Sequence, residues 1–470
     1  MSDDERRWDV VVIGGGAAGL MAAERAATRG RRTLLIERNP RVGTKILMSG
    51  GTRCNLTHAT DAKGIIEAYG VQGQGRFLHS ALAALSPADL VALIEAEGVP
   101  TKIEPDTGKI FPASDRATDI VAALMRRLQR SGCELALSES VAELARADAT
   151  HEASQVDATH QDAGFRIVTD HRELYAGKVI VTTGGQSYPG SGSTGDGYRW
   201  LAALGHTIVT PRPALTPITS DAGWVTTLRG IAFPDVVVRV VRRAAPTPTA
   251  PDANTAHPAN TADAGSPPAE AQPQAKAKKG GRKSGPLAER RSALLFTHFG
   301  LSGPAALDVS RVISEEAEPR TLELEVDLLP DIELEQLDQR LQRECAAEGK
   351  KNVVGVILRD ELPRRVVETL MAQVGMPLDR RGAEFGKAER RRLAEALKRW
   401  RIPVSGVRGF KVAEVTAGGV SLREVDSRTL ESKLVPGLFL AGELLDLDGP
   451  IGGYNFQAAF STAWLAGESV

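Results

Sequence analysis

Residues 9–20 read DVVVIGGGAAGL: a β-branched run, three glycines, then two alanines and a glycine opening a helix-forming stretch. The run has the length and composition of a buried strand. Helical composition continues to Arg29, Gly30 stops it, and TLLIE (33–37) is a second strand. Gly14, Gly16 and Gly19 match G-x-G-x-x-G between strand and helix, and Glu37 ends the next strand 18 residues after Gly19. Each position has a task in a dinucleotide-binding unit. Gly14 permits the tight turn, Gly16 (with Ala18 beside it) lets backbone approach a pyrophosphate, and Gly19 lets the helix pack on the sheet. The first turn of the helix offers unpaired N–H groups to phosphate. Glu37 can accept hydrogen bonds from ribose hydroxyls, and its charge disfavours a 2′-phosphate.

Outward from this unit, RNPRVGTKILMSGGTRCN (38–55) is a continuous polar, glycine-rich run, suited to a long cofactor lying over the sheet. VIVTTGG (179–185) is a strand ending in small residues, and VPGLFLAGELL (435–445) is a strand running into Gly442 and Glu443. The chain thus returns to the nucleotide domain from both ends, the pattern of two-lobed FAD proteins of the glutathione-reductase type.

The bulk numbers exclude several other classes. The chain has 470 residues, 42% hydrophobic and 25% charged, with a formal net charge of −1. No global field draws it to nucleic acid or membrane. Its three cysteines, Cys54, Cys133 and Cys345, are far apart and form no CxxC, which speaks against a disulfide framework and a zinc site. The opening MSDDERRWDV has no signal-peptide character, and no apolar run reaches the length of a membrane span. A cytoplasmic protein without a membrane partner is the expectation.

Along the chain, strand-like segments recur at 134–138, 165–169 and 178–183. Ser86 and Asp115 read as caps of two amphipathic helices. The texture changes near 211: three prolines, then FPDVVVRVVRR as an antiparallel strand. Residues 244–275 carry almost no large apolar side chain and read as disorder. Residues 276–291 hold seven basic residues and one acid, after which ALLFTH (293–298) reads as a strand again, so the insertion falls at a β-hairpin tip. TLELEVDLLP (321–330) alternates, 332–400 reads helical, and strand-and-glycine texture resumes from 404. The expected fold is α/β: an FAD-binding Rossmann-like domain in two parts (1–210 and 404–470), interrupted by a β-barrel-like insert (211–335) and a helical subdomain (336–403).

Seven segments make a family resemblance specific: IGGGAAGL, GTKILMSGGTRCNLTH, GKIFPASDRATDIV, TTGGQSYPGSGSTGDGY, LLFTHFGLSGPAALDVS, GFKVAEVTAGGV and GLFLAGELLDLDGPIGGYNFQAAFSTAWLAG. Together they resemble the bacterial BaiN/RdsA-like FAD-dependent oxidoreductases, a family that includes aminoacetone oxidases. The resemblance spans nearly the whole chain, 244–291 excepted, and implies the same division. It implies a flavin site at Gly452, Gly453, Tyr454 and Asn455, with Asn455 as helix N-cap, and Glu443 on the ribityl chain. The rest of the implied cradle is Arg38, Lys45, Ser49, Gly50, Gly51, Arg53, Cys54, Asn55, Val141, Thr183, Gly184, Gly185 and Gly442.

With a flavin, the chemistry is hydride transfer, and the protein supplies orientation, a proton donor and electrostatics. Arg53, Asn55, His298, Lys411 and Glu414 are the polar residues expected near the ring, all but Lys411 being catalytic candidates. His298 reads either as a proton donor or as a buried structural histidine. Cys54 reads as a packed neighbour rather than a redox thiol. No second nucleotide fingerprint is present, which leaves NAD(P)H open as a transient donor. The resemblance implies three activities: reduction of an electron-poor C=C bond in an unsaturated small molecule, reduction of a ribosomal RNA uracil to dihydrouridine, and amine oxidation with hydrogen peroxide release. A non-catalytic FAD protein docking RNA or a protein through the basic 276–291 segment is the reading from a different class. Oligomeric state is not legible.

Overall fold

The computed structural model describes residues 7–70, 73–147, 164–243 and 285–470. The expected disordered stretch 244–275, and the basic segment up to residue 284, lie outside them.

β1 (Arg7–Ile13), α1 (Ala17–Thr28) and β2 (Thr33–Glu37) form the predicted opening unit. Val10, Val11 and Val12 are fully buried, as a strand covered on both faces requires. β1 pairs in parallel with β2 and with the strand Glu173–Val181. Glu134–Leu137 extends this parallel sheet beyond β2. Strand Glu173–Val181 then forks. Its C-terminal half pairs in parallel with Leu438–Leu440, and its N-terminal half pairs antiparallel with Phe165–Thr169, which pairs in turn with Val141–Arg146. The C-terminal helix Tyr454–Ser469 lies against α1, and small residues permit the approach: a Cβ on Gly467 would come within 2.7 Å of the Ala22 carbonyl.

Two antiparallel strands, Ile208–Ala214 and Val415–Val420, carry the chain out of this α/β body and back. Between them lies a seven-stranded sheet whose pairings are all antiparallel. Its edge strands, Trp400–Pro403 and Gly406–Val407, are separated by two residues of chain. Edges that close in sequence force the sheet to curl, which gives it a barrel-like form. The helices Leu334–Ala347, Arg364–Gln373 and Lys387–Lys398 do not stand apart from it. Leu341, Leu370 and Leu393 share one buried core with Val236 and Leu324 of the strands. The α/β body has its own core, and a small third cluster of Leu215, Leu307 and Val415 lies where the two meet.

A three-stranded antiparallel sheet of Thr57–His58, Lys109–Pro112 and Thr101–Ile103 completes the α/β body. Ser86 caps the helix Pro87–Ala96 in a capping box. Asp115 is not a cap: it takes a left-handed φ of 56°, and the helix begins at Ala117 without a side-chain cap.

Candidate functional site

A cavity of about 790 Å³ runs from the β1–α1 turn, along the mouth of the parallel sheet, to the junction with the antiparallel body. Gly14, Gly16, Ala18, Glu37 and Arg38 line one end. The glycines differ in what they accommodate. A Cβ on Gly14 would lie 2.8 Å from the Thr182 carbonyl, and one on Gly19 would lie 1.7 Å from the Gly14 carbonyl. A Cβ on Gly16 meets nothing within 4 Å, because it would point into the cavity. Glu37 accepts from Gly15 N at 2.6 Å and from the Asn39 backbone and side chain at 2.8 and 2.7 Å. Arg38 pairs with Asp196 at 2.9 Å. Thr183 lines the wall, and its buried hydroxyl has no hydrogen-bond partner among the described residues.

In the middle, Lys45 donates to Glu443 at 2.5 Å and to Ser187 at 2.6 Å. The other Glu443 oxygen accepts from Ser187 and from Thr416 N at 2.6 and 2.9 Å. This network fixes the cavity wall across four segments distant in sequence.

At the far end, Gly50, Gly51, Thr52 and Cys54 all have left-handed φ, so the loop turns back on itself. Arg53 stacks on Phe111 with its guanidinium carbon 4.0 Å from the ring centroid, and pairs with Glu104 at 3.2 Å. Asn55 accepts from Gly453 N at 2.8 Å and donates to the Thr57 carbonyl at 3.0 Å. It therefore ties this loop to the start of the C-terminal helix. Ser49, Val141, Gly184, Gly452 and Asn455 also line the cavity. Asn455 is not the N-cap, which is Gly453; its side chain instead bridges the Gly449 N–H and carbonyl at 2.8 and 2.9 Å. Glu414 opens onto the cavity, where its side chain is solvent-accessible but has protein around it. Desolvation by the surrounding protein raises its carboxyl above the ordinary glutamate range, against the pull of Lys45 and Lys109.

Several predicted residues fall elsewhere. His298 is exposed, so it is not a buried structural histidine, and it does not line the cavity. Lys411 is exposed outside the lining. Cys54 is fully buried behind the loop, and burial pushes its thiol up to about 12. Gly19, Gly185 and Gly442 are packing positions rather than lining ones, and Tyr454 stacks on His58 with centroids 4.7 Å apart. Sequence reasoning missed Lys109, Phe111, Tyr188 and Val412. Strand alternation held a signal for two of them: Lys109 and Phe111 share one face, while Ile110 is buried on the other.

The model of the HI0933-like protein Rossmann domain matches residues 8–469. The chain belongs to this family. Two relatives in it are named ribosomal RNA dihydrouridine synthase. The one from Escherichia coli K12 is 31% identical, covering 99% of this chain and 98% of its own. The one from Haemophilus influenzae is 29% identical, covering 98% of each. A 3-dehydro-bile acid delta(4,6)-reductase from Clostridium scindens is 28% identical over 97% of this chain and 98% of its own. The family is that of the BaiN/RdsA-like FAD-dependent oxidoreductases. The cavity fits FAD: it is long, it begins at a glycine turn with open space at Gly16, and it presents an unpartnered buried hydroxyl at Thr183.

Proposed function

We propose that this chain is an FAD-dependent reductase that saturates a C=C bond conjugated to a carbonyl, with a uracil of ribosomal RNA as substrate and NAD(P)H as electron donor. The observation that carries the RNA assignment is the end-to-end 31% identity to the dihydrouridine synthase of Escherichia coli. An unsaturated small molecule is the second reading, supported by the end-to-end likeness to the bile acid reductase. Both names describe addition of two hydrogens to a C=C bond.

In this reading Gly14–Ala18 hold the pyrophosphate, Glu37 the adenosine ribose, and Thr183, Lys45 and Glu443 the middle of the cofactor. Loops 49–55 and 451–455 hold the flavin. Reduced FAD supplies the hydride. The chain must then deliver one proton to the carbon α to the carbonyl. Glu414 suits this, because its raised pKa keeps more of it protonated near neutrality than an ordinary glutamate. At the mouth, Met48, Tyr188 and Val412 are 38%, 39% and 37% exposed. An apolar rim with one aromatic ring suits a planar base turned out of an RNA strand.

The test is single turnover. Dithionite-reduced holoenzyme is mixed anaerobically with ribosomal RNA or with a conjugated steroid enone, and products are measured by mass spectrometry. Dihydrouridine from the RNA supports the first reading, and enone reduction alone supports the second. Reduction of neither would overturn the proposed reaction. With the substrate that reacts, turnover should be retained at low pH and lost as pH rises through the Glu414 pKa. Glu414→Gln should lower the rate by ~10²-fold or more and remove that alkaline limb.

A further inference from the structure

Four basic side chains line the cavity: Arg38, Lys45, Arg53 and Lys109. Three are neutralised, by Asp196 at 2.9 Å, Glu443 at 2.5 Å and Glu104 at 3.2 Å. Lys109 has no carboxylate within the 4.0 Å of an ion pair among the described residues. The carboxyl groups that feel its charge are Glu104, Asp308 and Glu414. Glu104 is taken by Arg53 and Thr107. Asp308 is taken by Arg290 at 2.8 Å and by Ile451 N at 2.8 Å. Glu414 makes no ion pair with it, and desolvation favours the neutral carboxyl. Lys109 is half-buried, on the strand face that also presents Phe111 to the cavity. An ammonium partly withdrawn from water without a counter-charge is costly unless a ligand supplies one.

We propose that the Lys109 ammonium binds the carbonyl oxygen of the substrate and takes up the negative charge that develops there. The assignment rests on the conjugate-reduction reading above. In that reaction the hydride pair from reduced flavin arrives at the carbon β to the carbonyl, leaving the flavin oxidised. The π pair of the C=C bond shifts to give an enolate whose charge sits on the carbonyl oxygen, beside Lys109. A proton then adds to the α carbon, for which Glu414 stands across the same cavity. A cation fixed where charge develops is the electrostatic half of this catalysis, and a nearby acid is the other half.

The test compares wild type, Lys109→Met and Lys109→Arg as FAD-loaded, oxidised proteins. The probes are pentafluorophenolate, a planar aromatic oxyanion that mimics the enolate, and pentafluorobenzene, its neutral counterpart. Binding is followed through the flavin absorbance. Lys109→Met should bind the phenolate roughly tenfold more weakly, the low end for loss of a charged hydrogen bond. It should bind the neutral ring unchanged, and Lys109→Arg should recover the phenolate affinity to within about threefold. FAD content and flavin reduction potential should match wild type in both variants. Phenolate affinity that is undetectable in wild type, or unchanged in Lys109→Met, would overturn the proposal. An unchanged affinity with a lowered flavin potential would assign Lys109 to the flavin instead. These results decide the role of Lys109 even if neither RNA nor enone is reduced, an outcome that would sink the reaction but not charge-selective binding.

Discussion

Gly16 and Gly19 sit three residues apart at the start of α1, and a side chain at each would meet opposite surroundings. At Gly16 it would enter cavity space, whereas at Gly19 it would strike the Gly14 backbone at 1.7 Å. Gly16→Val should therefore fold, melt like FAD-stripped wild type and purify colourless, because the bulk stands where the proposed site puts the cofactor's phosphates. Gly19→Val should be destabilised by at least ~3 kcal/mol, since backbone cannot yield to a methyl group there. Urea midpoints and flavin absorbance separate the two, and a yellow Gly16→Val protein would contradict the loop assignment. These glycines were legible because their constraint is local: strand, turn and helix follow each other in the chain. Lys109 was not, because its significance lies in lacking a carboxylate partner, and pairing is settled by residues far away in sequence. Cys54 was legible as a packed thiol from residue type, and it is fully buried, with its pKa raised by that burial.

Among the elements, the hairpin Ala232–Arg242 and Ala288–Phe296 bears directly on the insertion. Its register pairs Val240 with Ala288, and Leu287 N donates to the Val240 carbonyl at 2.8 Å, so the strands are joined up to the insertion itself. Deleting residues 246–285 should leave a soluble, yellow protein with an unchanged melting temperature, because both strands keep their partners. Loss of soluble protein or of FAD would contradict this. Strand alternation around 322–327 was readable because Leu322, Leu324 and Val326 join the core, while Glu323, Glu325 and Asp327 on the other face pair with Arg401 and Lys398. The caps were read less well. Asp115 and Asn455 have favourable side chains for capping, but Asp115 lies in a left-handed turn and Asn455 spends its amide on Gly449. Propensity could not reveal those competing bonds.

At the scale of the whole molecule, the α/β body and the antiparallel body meet around a charged pair. Asp448, beside the flavin-side loop, contacts Arg311 of the helix Pro304–Glu315 at 2.9 Å. Burial pushes Asp448 up to about 7, although Arg311 and Gln74 pull it down. The folded state therefore holds this proton more tightly than the unfolded chain does. That contribution to stability is complete below the ordinary aspartate range and is lost as pH rises toward 7, by at most ~1.4 kcal/mol per pH unit. Asp448→Asn should flatten this part of the pH–stability profile between pH 5 and 7, and an unchanged slope in urea titrations would contradict it. The split nucleotide-binding fold was legible because both chain ends carry strand-and-glycine signatures. The shared core of the antiparallel sheet and its helices was not, because amphipathic faces do not name the surface that covers them. The central claim is that this FAD cavity reduces a uracil of ribosomal RNA, and a mass-spectrometric map of dihydrouridine in that RNA tests it most directly. A strain lacking the gene should lose a dihydrouridine that the wild-type gene restores and Glu414→Gln does not; a map unchanged by the deletion would contradict the claim.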